Sequence, residues 1–319
     1  MGLFSLTMAG GCFIMIGAWE SFTSSTSNPS LSSVSSSVAR MTKSTTQNNP
    51  NPKDHSFSLV YIVITVFSFL FVIDSLISLF YAINSQDGIG SALQLQVLAV
   101  AAHFCLYSIL GLASNFSSSV RFPSSLLDLI LLFAFVEEFL LYYLQRKDTT
   151  GIENRYFDLL LVPIAMCIFS TILELKSSSK SNNYARMARG VGLILQGMWF
   201  VQMGISFYTN MIVHGCSLHE KSRGDYTIKC KGHSDYHRAR GIATLQFNCH
   251  LALLVVLLTT VHSVMAKKNR NHSNFKQYKP LGAEMENNEH FTLDSDEDEI
   301  REEENAVKDK LAVVEMVAN

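Results

Sequence analysis

The sequence predicts an all-α protein: a polytopic membrane bundle of about seven transmembrane helices, with a disordered first loop and an acidic, disordered C-terminal tail. Composition is the first reason. Only 16% of the 319 residues are charged and 48% are hydrophobic, whereas soluble domains carry about 25% charged residues. The charges are concentrated in loops and in the tail. Between them lie apolar segments close to the roughly 20 residues that a helix needs to cross the hydrocarbon core.

Seven such segments define the predicted spans. The second is the clearest, because its one charged residue is Asp74. A helix on the surface of a soluble protein is apolar on one face, whereas several of these segments are apolar all round. They lie at about 3–19, 57–83, 92–114, 123–145, 156–175, 187–209 and 241–266. We therefore divide the chain into a first transmembrane helix (1–20), a linker (21–56), a six-helix membrane core (57–266) and a tail (267–319).

The linker and the tail are the two long polar stretches. The linker is rich in Ser, Thr and Asn and has too few apolar residues to offset the entropy of ordering, so we expect it to be disordered. The tail contains the acidic run TLDSDEDEIREEE and is where we expect protein partners to bind. A net charge of -2 gives no reason to expect nucleic-acid binding. The expected environment is the lipid bilayer, and we predict no cofactor.

The orientation follows from the residues that flank the last segment. Lys267, Lys268 and Arg270 come directly after it, and such basic clusters mark the cytosolic side. We therefore predict a cytosolic C-terminus and a lumenal or extracellular N-terminus, in the plasma membrane or the endomembrane system. This orientation places Cys216 and Cys230 in an oxidising compartment, where a disulfide between them is favoured.

A zinc site in the same loop is the alternative use of these cysteines. Cysteine and histidine at short spacings are the ligands that zinc prefers. A disulfide would remove both sulfurs from such a site. The additional ligands would be His214, His219, His233 and His237.

Polar residues inside the predicted spans form the candidate functional site. Such residues are costly to place at bilayer depth, so each is a candidate for function. The predicted polar cavity consists of His103, Glu137, Gln196, Gln202, Gln246 and His250. Gln246 and His250 are four residues apart and share a helix face. These residues either handle protons or solutes, or form hydrogen bonds between helices that stabilise the bundle.

Two further patterns bear on this choice. A catalytic zinc takes three protein ligands, and only His103 and His250 lie well inside the spans, so we assign no metal ligand or catalytic residue and do not expect an enzyme. Glycines at every seventh position of the sixth segment predict a seam for close helix packing. They are Gly190, Gly197 and Gly204.

The chain also resembles a known family. The stretch Leu193–Phe207 reads LILQGMWFVQMGISF and resembles the Q-G-x-W-F-x-Q-x-G signature of the transmembrane protein 45 family. Supporting stretches are FAFVEEFLLYYLQ (133–145), ATLQFNCHLAL (243–253) and IGAW (16–19). The last is why we interpret the first segment as a retained helix. The resemblance implies a plant-type, seven-helix membrane protein of undefined activity, linked to stress or pathogen responses.

This chain departs from the family pattern where the family carries histidines. Leu144 and Arg146 follow the Tyr-Tyr pair, where the family usually has histidines, and Arg155 stands at the start of a later His-x-His position. Glu138 replaces a glycine of the family pattern. Any metal or proton role that depends on those histidines is therefore not carried over to this chain.

The sequence thus predicts a multi-pass membrane protein that acts through helix packing and partner interaction. The first alternative is a small-solute or proton-coupled transporter or channel that uses His103, Glu137, Gln196 and His250. The less favoured alternative is an intramembrane metal-dependent hydrolase. If those four side chains converge around a cavity, the transporter gains support; if they pair separately, the interaction hypothesis stands.

Overall fold

Seven helices and one β-hairpin make up the part of the chain described by the structure, a computed structural model. It describes residues 2–26, 52–116, 122–146, 151–176, 183–209, 215–222 and 225–277. The elements are α1 (Leu3–Thr26), α2 (Pro52–Asn84), α3 (Gly88–Phe116), α4 (Ser124–Leu144), α5 (Glu153–Lys176), α6 (Asn183–Tyr208), β1 (Cys216–Ser222), β2 (Asp225–Cys230) and α7 (His233–Gln277).

The predicted all-α membrane bundle is confirmed. Six of the helices in the described residues, all except α4, are long and apolar enough to cross a membrane. α4 is 21 residues long and apolar, but it carries the three carboxylates of Asp128, Glu137 and Glu138, which is why it is not among the six. The protein is therefore an integral, multi-pass membrane protein.

Several helices extend beyond the predicted segments. α1 continues to Thr26 and includes the first six residues of the predicted linker. Its polar end is accommodated because hydroxyls donate to carbonyls one turn back: Thr23 Oγ1 to Trp19 O (3.0 Å) and Ser24 Oγ to Glu20 O (2.7 Å). α7 likewise includes residues 267–277, which begin the predicted tail. The remaining predicted disorder, at 27–51 and 278–319, lies outside the described residues.

α6 lies at the centre of the helical packing. In its most apolar stretch 67% of residues are buried, against 17% for α2 and for α7. α1 and α5 pack along α6, while α2 packs on α3. Trp199 and Leu195 of α6 are fully buried, and Phe200 and Met203 are nearly so. The bundle therefore has one central helix that is shielded by protein and three helices with large exposed surfaces, since α1 is also 17% buried by the same measure.

The β-hairpin closes one end of the bundle. Its strands β1 and β2 are antiparallel, with Cys216 opposite Cys230, and the two cysteines form a disulfide. Ile228 N donates to the buried Glu153 Oε2 at 2.8 Å, which attaches β2 to the start of α5. The sequence did not predict these strands. We refer to this as the hairpin end, and to the opposite end, where α1 ends and α6 begins, as the Arg189 end.

Candidate functional site

The glycine seam brings α1 and α6 into backbone contact. A Cβ atom added at Gly10 would lie 2.6 Å from Gly197 O, and one added at Gly17 would lie 2.5 Å from Gly190 O. Only glycine allows this approach at these two crossings. Gly204 has more room, since its nearest neighbour would be 3.4 Å away. The sequence indicated the α6 half of the seam, and Gly10 and Gly17, which are also seven residues apart, carried the matching signal in α1.

A buried ion cluster joins three helices at the Arg189 end. The Arg189 residue is 3% exposed. Its Nε and Nη2 donate to the two carboxylate oxygens of Glu20 at 3.0 Å each, and its Nη1 donates to Glu174 Oε2 at 2.5 Å. Arg186 Nε lies 3.8 Å from Glu174 Oε1. The cluster links α1, α5 and α6, and the sequence did not reveal it because Glu20 and Arg189 are 169 residues apart.

Next to this ion cluster, a cavity of about 350 Å³ lies between α1, α2, α3, α4 and α6. Protein sites for small molecules have volumes of roughly 300–1,000 Å³, so it is large enough for a small ligand. Its rim is charged, and its wall contains a continuous row of phenylalanine rings. The rim is formed by Glu20, Asp128, Glu174, Arg186 and Arg189, and the ring row by Phe200, Phe13, Phe104 and Phe135.

Glu138 lies deep in the same cavity. Its side chain lines the cavity and belongs to a residue that is only 3% exposed. Gln196 Nε2 of α6 donates to Glu138 Oε1 at 2.6 Å. Glu138 Oε2 and Gln196 Oε1 are buried and have no hydrogen-bond partner among the described residues. Asp128 at the rim is ten residues before Glu138 on α4, or about 15 Å along the helix axis.

The six residues of the predicted polar cavity do not come together. His103 and Glu137 pair with each other, His103 Nδ1 lying 2.9 Å from Glu137 Oε2, and their side chains are 38% and 36% exposed. They lie on the outside of the α3–α4 contact. Gln196 pairs with Glu138 rather than Glu137. Adjacent residues on a helix point about 100° apart. The Glu137 carboxylate therefore faces outward, while the Glu138 carboxylate faces into the bundle.

The other three predicted residues lie elsewhere. Gln246 Oε1 accepts a hydrogen bond from Tyr156 Oη at 3.1 Å, and His250 Nδ1 lies 2.7 Å from the Gln246 carbonyl in its own helix. Gln202 Nε2 donates to Ser206 Oγ at 3.0 Å within α6. None of the six lines the large cavity or a smaller one of about 50 Å³ beneath the hairpin. The prediction of one polar cavity built from these six residues is therefore replaced by separate helix contacts.

The loop that could have held zinc contains the disulfide instead. Cys216 and Cys230 are bonded to each other, so neither sulfur is available as a ligand. His233 and His237 contact each other, with their Nε2 atoms 3.0 Å apart. His214 lies outside the described residues. Within the described ranges, no three His, Cys, Asp or Glu side chains are grouped as a metal site would require.

Comparison with known families adds one finding. Residues 124–263, from the start of α4 into α7, match the model of a Family of unknown function (DUF716). Searching the curated proteins gives no match. The matched region contains Glu138, Gln196 and Arg189 but not α1, which supplies Glu20 and part of the cavity wall.

Proposed function

We propose that this multi-pass membrane protein is a non-enzymatic binding protein that holds an amphipathic small molecule in the large cavity. One observation carries the proposal: a cavity of about 350 Å³ combines a charged rim with a wall of phenylalanine rings. A polar rim suits a head group, and the aromatic wall suits an apolar chain.

The rim favours a cationic head. It contains three carboxylates and two guanidiniums. Glu20 and Glu174 pair with Arg189, whereas Asp128 forms none of these ion pairs. An excess of one negative charge at the rim attracts a cation, and Asp128 is the carboxylate best able to receive it. We therefore expect an ammonium head group beside Asp128.

The separate pairing of His103, Glu137, Gln196 and His250 favours this proposal over a transporter. Transport through those four residues requires that they share a pathway, and they contact different partners on different helix faces. The intramembrane hydrolase hypothesis relied on His103 and His250, which likewise do not meet. We retain partner interaction as a second function, with the tail as the binding segment, since its acidic run suits a basic partner.

We also propose that the Arg189 end faces the cytosol. The basic cluster after the last span and the disulfide at the hairpin end both support this orientation. The resemblance to the transmembrane protein 45 family supports a plasma-membrane or endomembrane location and a link to stress responses. Protease treatment of sealed, cytosol-facing vesicles should remove the tail; a protected tail would contradict the orientation.

Ligand-induced stabilisation tests the binding proposal. Dodecylamine added to the purified protein in nanodiscs should raise the midpoint of thermal unfolding, because a ligand that binds the folded state stabilises it by mass action. Ala101→Phe narrows the cavity and should abolish the shift, whereas Ala102→Phe, at the neighbouring exposed position, should retain it.

Comparing Ala101→Phe with Ala102→Phe also separates specific binding from general effects of the amine on the nanodisc. A shift of equal size in the wild type and in both variants would contradict binding in the cavity, as would no shift in any of the three proteins.

A further inference from the structure

We infer that Glu138 forms a recognition floor that selects ligands with a hydroxyl group at the end of the chain opposite the head. This inference rests on the proposed function and assigns a chemical class to its ligand. The floor is the Glu138 side chain, which lines the cavity and accepts a hydrogen bond from Gln196 of α6.

The first argument is the incomplete hydrogen bonding of the pair. One bond, 2.6 Å long, links Gln196 Nε2 to Glu138 Oε1. The other carboxyl oxygen, Glu138 Oε2, is buried and has no partner in the described residues. Buried polar atoms in native proteins nearly always have a partner, and leaving one without a partner costs free energy. A polar group of a ligand would supply the missing partner.

The second argument concerns which polar group fits. A carboxyl oxygen accepts a hydrogen bond when the group is ionised and can also donate one when it is protonated, and a ligand hydroxyl can pair with either form. A neutral hydroxyl is less costly to bring to this depth than a second ammonium. The terminal torsion of a glutamate side chain is broad, so the carboxylate can turn an oxygen toward the cavity without leaving Gln196.

The third argument is the distance between the two polar ends. Asp128 and Glu138 are separated by about 15 Å along α4, and both line the same cavity. The phenylalanine wall lies between them, with Phe104 and Phe135 in edge contact at 5.6 Å. An extended dodecyl chain with an ammonium at one end and a hydroxyl at the other matches this order of polar, apolar and polar surface.

A set of three dodecyl amines that differ only at the far end tests the inference. The ends are a hydroxyl, a methoxy group that accepts but cannot donate, and the methyl group of dodecylamine itself. Apparent dissociation constants come from the same unfolding shifts in nanodiscs. In the wild type the hydroxyl compound should bind about tenfold more tightly than the methoxy compound, as expected for one additional donated hydrogen bond to a buried carboxyl oxygen.

Two variants assign the preference to the floor. Glu138→Met removes the acceptor and should reduce the ratio of the two dissociation constants to about one, while dodecylamine still binds. Glu137→Met is the matched control, since this neighbour faces outward, and should retain the wild-type ratio. If Glu138→Met does not fold, Glu138→Leu, which also lacks a hydrogen-bonding group, provides the same comparison.

The outcomes separate the two proposals. If dodecylamine binds but the hydroxyl gives no advantage in the wild type, or if the advantage persists in Glu138→Met, the role of the floor is overturned and the cavity proposal stands. If none of the three amines shifts unfolding in the wild type, both proposals fail.

Discussion

Two buried polar clusters in the part of the chain that the structure describes differ in how completely their groups are paired. At the Arg189 end, one guanidinium meets the carboxylates of Glu20 and Glu174, and each of these acids accepts from it. At the floor, Glu138 accepts one bond from Gln196, and its other carboxyl oxygen has no partner among the described residues. A fully paired cluster can be accounted for by stability alone, whereas an incompletely paired one indicates that a group outside the chain completes it.

The largest expected effect comes from breaking the paired cluster. Arg189→Leu leaves two carboxylates without their cation, and the removal of one partner from a buried ion network costs about 3–5 kcal/mol. Unfolding of the purified protein in detergent should show a loss of this size. Lys176→Leu is the control, because Lys176 is an exposed cation on the same helix as Glu174. A loss for Arg189→Leu no greater than for Lys176→Leu would mean that the cluster is not structural.

A smaller loss of unfolding free energy is expected when the glycine seam between α1 and α6 is altered. Gly10→Ala places a methyl group 2.6 Å from Gly197 O and should cost about 1–3 kcal/mol, the usual range for overpacking. Gly11→Ala has nothing within 4 Å of its new atom and should be neutral in the same unfolding assay. Equal stability of the two variants would show that α1 and α6 do not pack as closely as the structure indicates.

Replacing Glu138 should lower the unfolding free energy much less than replacing Arg189. Glu138→Met removes one hydrogen bond between membrane helices, a contribution of about 0.6 kcal/mol on average, and also removes a poorly satisfied carboxyl. Its unfolding free energy should therefore stay within about 1 kcal/mol of the wild type. If Glu138→Met destabilises the protein as much as Arg189→Leu, the distinction between the two clusters is wrong.

The smallest effect is expected for the outward pair. His103→Ala should change the unfolding free energy by no more than about 0.6 kcal/mol, since the pair is more than one-third exposed and lies outside the cavity. The variant should also bind dodecylamine like the wild type. Loss of binding in this variant would show that His103 contributes to the ligand site and would support the transporter hypothesis.

The sequence was sufficient to predict the helices but not the arrangement of their polar residues. Apolar length identified the spans, and the seven-residue glycine spacing indicated the face that α6 uses for packing. The choice between Glu137 and Glu138 depends on helix rotation, which differs by about 100° between adjacent residues. Apolar segments without a polar face do not fix that rotation, so the sequence does not show that Glu138 rather than Glu137 faces the cavity.

The hairpin and the ion cluster were missed for different reasons. Strands β1 and β2 are only seven and six residues long and are rich in polar residues, so they carry little hydrophobic alternation. The cluster depends on a contact between Glu20 and Arg189, which only the packing of α1 on α6 brings together. The spacing of glycines on both helices was the available clue to that packing.

Mapping a photoactivatable dodecylamine onto the protein tests the central claim most directly. After irradiation in nanodiscs and peptide mass spectrometry, the label should lie on cavity residues such as Phe104 and Phe135, and excess unlabelled dodecylamine should remove it. Labelling confined to lipid-facing residues such as Phe80 and Phe169, which are 71% and 67% exposed, would show that the amine stays in the bilayer and would contradict a ligand site inside the bundle.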